Sequence, residues 1–125
     1  MPRILLLFIS TIIFSSCYKQ ERNCTDFKNG KFRFDFVVNG KKQTTIFERK
    51  DSFEIETFNN KTDTSKIRWV NDCEYVLTKI NPKTIQEKKS VAMRIITTTK
   101  DSYTFEFGLV GSDKKQKGTA TKINL

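Results

Sequence analysis

From Lys31 onward, apolar and polar residues alternate with period two, the pattern of strands that bury one face. In "KFRFDFVV", Phe32, Phe34, Phe36 and Val38 point one way, while Arg33 and Asp35 point the other. Asn39-Gly40 follows at once, the dipeptide best suited to the positive φ angles of a type I′ turn, so a second strand, Lys42 to Arg49, is expected to return directly. Lys50-Asp51 breaks it before Ser52 to Phe58, where Phe53 and Ile55 alternate with Glu54 and Glu56. With the apolar pair turned inward, both glutamates fall on the outer face.

Asn59 to Thr64 is polar and reads as a turn-rich loop. Ser65 to Val70 and Cys73 to Ile80 alternate again, separated by Asn71-Asp72, and Asn81-Pro82 ends the second of them because proline cannot donate to a ladder. Pro82 to Ser90 does not alternate and reads as a loop or a single helical turn. Val91 to Thr99, Tyr103 to Val110 and Lys117 to Leu125 complete the set, with turns at Lys100-Asp101 and Gly111 to Gln116. Eight short strands with a turn signal about every ten residues predict an all-β fold. Hairpin-length connections favour an antiparallel up-and-down meander, and eight such strands lose their edges by closing. The expectation is a small β-barrel, lipocalin-like or fatty-acid-binding-like, over residues 31–125, with an open or sandwiched sheet as the rival.

The amino-terminal segment has a different character. Arg3 precedes an apolar run, Ile4 to Phe14, that ends in Ser15, Ser16 and Cys17, the layout of a secretory signal peptide. The run falls short of the roughly 20 residues a membrane-spanning helix needs, and Lys19, Glu21 and Arg22 follow closely. Two small residues directly before a cysteine resemble the lipobox of bacterial lipoproteins, with Phe14 where leucine is commonest. The resemblance implies that residues 1–16 are removed and that the Cys17 thiol carries a diacylglyceryl group. Residues 17–30 would then be the lipidated residue and a tether. At ~0.8 kcal/mol per buried methylene, two or more acyl chains suffice for stable anchoring. The protein is expected in the cell envelope of a bacterium, exported and held on a membrane, the outer one by preference.

Export changes the cysteine arithmetic. With Cys17 given to lipid, Cys24 and Cys73 remain in a compartment where disulfides persist, and they are expected to pair. Neither lies in a C-x-x-C, and the 125-residue chain has no histidine, so no zinc or redox site and no cofactor is expected. The same absence removes Ser-His and Cys-His nucleophilic arrangements. The carboxylate pairs Glu54/Glu56 and Asp72/Glu74 are expected on solvated faces, which leaves no catalytic assignment.

Charge adds one question. Lys and Arg number 23 against 14 Asp and Glu, a formal net charge of +9 that attracts polyanions. "GKFRFDFV" has a distant likeness to the ribonucleoprotein strand motif, but it lacks the second glycine and its phenylalanines fall on the core face. Nucleic acid is not an expected partner; a basic surface beside anionic headgroups is. The sequons at Asn23 and Asn60 carry no weight in a bacterial lipoprotein.

Beyond the signal, "RNCTDFKNGKF", "IRWVNDCEYVL" and "GTATKI" are similar to a group of short bacterial envelope lipoproteins, some of which bear the name DNA topoisomerase IV. That activity needs a tyrosine nucleophile beside an arginine and magnesium on an Asp-x-Asp cluster. None of Tyr18, Tyr75 or Tyr103 follows an arginine, and no Asp-x-Asp occurs. Two roles remain: a non-catalytic module that binds a small apolar ligand, or a filled barrel whose surface meets another envelope protein. On the first, Phe32, Phe34, Phe36, Phe105 and Phe107 line the cavity, and Trp69 and Tyr75 stand at its mouth if they are not core.

Overall fold

The computed structural model describes residues 22–123. A 3-10 turn, Cys24–Phe27, precedes eight strands: β1 (Gly30–Val38), β2 (Lys41–Lys50), β3 (Phe53–Phe58), β4 (Lys61–Asn71), β5 (Glu74–Lys79), β6 (Val91–Thr98), β7 (Ser102–Leu109) and β8 (Gln116–Lys122). Each strand pairs antiparallel with the next, and β8 returns to β1, closing an up-and-down barrel. The all-β meander read from the alternation is therefore the fold.

The turn chemistry follows from residue type. Asn39 and Gly40 take φ of 51° and 75°, the left-handed pair a two-residue hairpin requires. Asn59 and Asn60 do the same at 49° and 62°, because asparagine tolerates this region better than other side chains. The expected loop over Asn59 to Thr64 thus shrinks to two residues, and β4 starts at Lys61 instead of Ser65.

The two ends of the barrel differ. At one end, Phe27 and Phe32 are fully buried and pack on Tyr103, with ring centroids 5.1 and 5.7 Å away, while Ile67, Ile95 and Ala120 fill the spaces between. The disulfide Cys24–Cys73 fastens the 3-10 turn beneath this end, and the Asn23 N–H donates to Thr98 Oγ1 at 2.8 Å. Residues 24–27 are therefore a plug built into the fold, so the expected tether over residues 17–30 ends before Cys24. Cys17 and the signal segment lie outside the described residues. The opposite end is bounded by the turns at 39–40 and 59–60 and by the segments at 80–90 and 110–115, and it is open.

Candidate ligand cavity

Inside the open half lies a cavity of about 350 Å³. Its walls are apolar, with Phe34 from β1, Leu77 from β5, Val91 and Met93 from β6 and Phe105 and Phe107 from β7. These residues share the inward phase because their cross-strand pairs, Met93 with Phe107 and Leu77 with Val91, put them side by side on one face. Gly118 faces Phe34 and Phe105 where a Cβ would stand 2.5 and 2.9 Å from their ring carbons, so glycine lets the rings close over β8. β1 and β8 pair only from Phe32 to Phe34, and where they part a second cleft of about 570 Å³ opens beside Phe36 and Gln116. The two spaces share Phe34, Thr45, Glu56 and Phe107.

Of the residues expected to line the cavity, Phe34, Phe105 and Phe107 do so, and Phe36 borders the adjoining cleft. Phe32 does not: it stacks on Phe47 at 5.3 Å in the closed end. Trp69 and Tyr75 are not at the mouth either. They pair beside the β4–β5 turn at the plugged end, their rings 4.6 Å apart, with Lys28 Nζ 5.1 Å from the indole centroid.

Strand β3 overturns a further expectation. Its phase is the reverse of the one expected: Glu54 and Glu56 point inward, and Phe53 and Ile55 are 44% and 39% exposed. The β2–β3 hairpin sets this phase by pairing Arg49 with Glu54 and Phe47 with Glu56. Asp72 and Glu74 do lie outside, bridged to Lys28 at 2.8 Å and Arg94 at 3.7 Å.

The cavity floor is built around Arg49, whose side chain is wholly buried. Its Nε donates to Glu54 Oε1 at 3.0 Å, Nη1 to the Phe27 carbonyl at 2.9 Å, and Nη2 to the hydroxyls of Tyr75 and Tyr103. The rings of Phe32, Phe47, Tyr75 and Tyr103 surround it with centroids 4.6–5.3 Å from the guanidinium carbon. Burial works against the Arg49 charge, but its interactions with Tyr75, Tyr103 and Glu54 outweigh that and hold its pKa above the ordinary value. Burial pushes the Glu54 carboxyl up, with Arg49 opposing, and it also raises the Tyr75 and Tyr103 phenols. A cation here is tolerated because nearly every donor has an acceptor and a carboxylate balances the charge.

Above this floor Thr45, Glu56 and Ser65 add polar groups to the wall, and Lys79, Gln86, Glu87 and Lys89 border the mouth. Thr45 Oγ1 donates to Glu56 Oε1 at 3.0 Å, and Ser65 stands nearby on β4. Over the mouth, the segment at 80–90 forms a loose turn fastened by Glu87. Its carboxylate accepts from the Lys83 N–H at 2.7 Å and from Lys79 Nζ at 3.3 Å, and these bonds, the first above all, hold its pKa below the ordinary value. The arrangement can enclose an apolar body among aromatic and aliphatic walls and offer hydroxyl and carboxylate groups to one polar end.

Arg49, Thr45, Glu54 and Glu56 were not among the residues read as cavity-forming. The signal for Arg49 was present, since Thr45, Phe47 and Arg49 share one parity on the expected strand, and a buried Phe47 carries Arg49 inward with it. Comparison of the chain with protein-family models, with curated proteins and with solved structures gives no match.

Proposed function

We propose that this protein is a cell-envelope lipoprotein, anchored through lipid on Cys17, whose barrel is a non-catalytic binding module for one small, largely apolar ligand. The observation that carries the reading is the cavity: at about 350 Å³ it falls in the range of small-molecule sites, and its aromatic and aliphatic walls lie between polar groups at the floor and the mouth that can orient a ligand. The ligand's apolar part lies against Phe34, Leu77, Met93 and Phe107, and its polar end meets Thr45, Glu56 or Ser65.

Native mass spectrometry of protein purified from its own envelope tests the ligand. A bound lipid or metabolite is expected, and its loss in Leu77→Trp, which fills the cavity, locates it. A protein that carries nothing and takes up no apolar fluorescent probe removes the binding role and leaves the filled-barrel, partner-binding role in its place. The anchor is tested separately: cells fed radioactive palmitate should label the wild type and not Cys17→Ala, and an unlabelled wild type rejects lipidation.

A further inference from the structure

The open rim combines two features that soluble surfaces usually keep apart. Val37, Val38, Ile85 and Val110 are 69%, 47%, 81% and 58% exposed, and all four lie in or beside the connections that bound the mouth. Exposed lysines stand among them, Lys41 and Lys42 after the first turn, Lys88 and Lys89 in the covering segment, Lys114 and Lys115 before β8. Among the acidic groups of this end, Asp63 and Glu87 are engaged by Lys79 at 3.7 and 3.3 Å and Asp35 by Arg33 and Lys42, while Asp113 stands exposed beside Lys114. Apart from Lys42, which lies 3.8 Å from Asp35, these six lysines enter no ion pair among the described residues. At the plugged end Lys28, Arg94 and Arg49 are paired with Asp72, Glu74 and Glu54, while Lys50, Lys66, Arg68 and Lys100 enter no ion pair among the described residues, so it is the cluster of exposed aliphatic side chains beside the lysines that sets the rim apart.

We infer that the rim docks on an anionic lipid bilayer, lysines on headgroup phosphates and the aliphatic tips at the boundary with the acyl chains. Charge complementarity selects a polyanion. The aliphatic side chains select a lipid surface over a soluble polyanion, because only the bilayer offers apolar atoms beneath its phosphates. The inference stands on the fold and not on the presence of a ligand.

Co-sedimentation with vesicles tests this. All eight strands, the plug and the disulfide lie within residues 22–123, so residues 17–125 with Cys17→Ala keep the whole fold without the lipid. Binding is expected to phosphatidylglycerol-containing vesicles, to weaken with salt, and to be absent with phosphatidylcholine alone. Lys88→Gln/Lys89→Gln/Lys115→Gln, and separately Val37→Asp/Ile85→Asp, should each reduce partitioning roughly tenfold or more. Lys66→Gln/Arg68→Gln/Arg94→Gln, on strand segments toward the plugged end, should leave it unchanged, with melting temperatures confirming that every variant is folded. Equal binding to phosphatidylcholine, or equal loss from the plugged-end set, overturns the inference. So does an aspartate pair without effect, which would make the rim a site for soluble polyanions.

Discussion

Replacing Arg49 by methionine removes the cation and keeps most of the volume. What remains is a nearly buried Glu54 carboxylate with no counter-charge, a Phe27 carbonyl and two tyrosine hydroxyls that have lost their donor. Breaking one side of a buried ion pair costs about 3–5 kcal/mol. Since a domain of this size is stable by only about 5–15 kcal/mol, the variant should lose about a fifth or more of its stability. Urea unfolding followed by the fluorescence of Trp69, the single tryptophan, reads the loss directly.

The charge makes the prediction pH-dependent. Without Arg49, the one group that lowers the Glu54 pKa is gone, and burial raises it further. A carboxyl with a raised folded pKa contributes stability below its unfolded value, about 4.3, and loses it as pH rises through the folded value. Arg49→Met should therefore be closer to the wild type near pH 4 than at pH 7. Arg49→Met/Glu54→Leu removes both charges and should recover most of the loss, because an apolar replacement of a buried pair is often neutral or better. If the double variant is as unstable as Arg49→Met, or if the single variant costs less than about 1 kcal/mol, the buried charge is not what the plugged end is organised around.

Three other outcomes are expected. Cys24→Ser/Cys73→Ser opens a loop with a sequence separation of 49 and should lower stability by about 4 kcal/mol on the chain-entropy relation, seen as a drop in the urea midpoint. Gly118→Ala sets a Cβ against Phe34 and Phe105, so it should cost about 1–3 kcal/mol and reduce probe uptake by forcing those rings into the cavity. Burial raises the Tyr75 and Tyr103 phenols, which contribute stability below about pH 10 and lose it as pH climbs toward their folded values; phenolate absorbance for the two should rise together with loss of the folded circular dichroism.

Much of the barrel was legible because its signals are local. The Asn39-Gly40 turn and the parity of Phe32, Phe34 and Phe36 need only neighbours in sequence, and both hold. The Cys24–Cys73 bond is present as the sequence reading expected it, from two thiols left over once Cys17 is set apart by the signal-like segment before it. The plug was not legible: "CTDF" has no period of its own, and what buries Phe27 is the ring of Tyr103, distant in sequence. Trp69 and Tyr75 take the core role beside the Asn71-Asp72 turn, and only the alternative that put them at a cavity mouth fails, because alternation states which face a residue takes but not its depth along the barrel.

Strand β3 shows what the alternation leaves undecided and why the cavity depends on it. Phe53 and Ile55 alternate with Glu54 and Glu56, so both phases are periodic, and the apolar one is the natural choice for a core. A one-residue slip exchanges the faces, and here the hairpin decides: Asp51, at φ 59°, and Ser52 form the turn, Lys50 pairs with Phe53, and Arg49 comes opposite Glu54. In the other phase, Phe53 and Ile55 would stand inside beside Phe47 and occupy space that is now open. The observed phase leaves two apolar side chains partly in water and sets two carboxylates in the lumen, a loss for packing alone. That loss is what keeps this side of the barrel from filling, and it supplies the carboxylates that a ligand's polar end would meet.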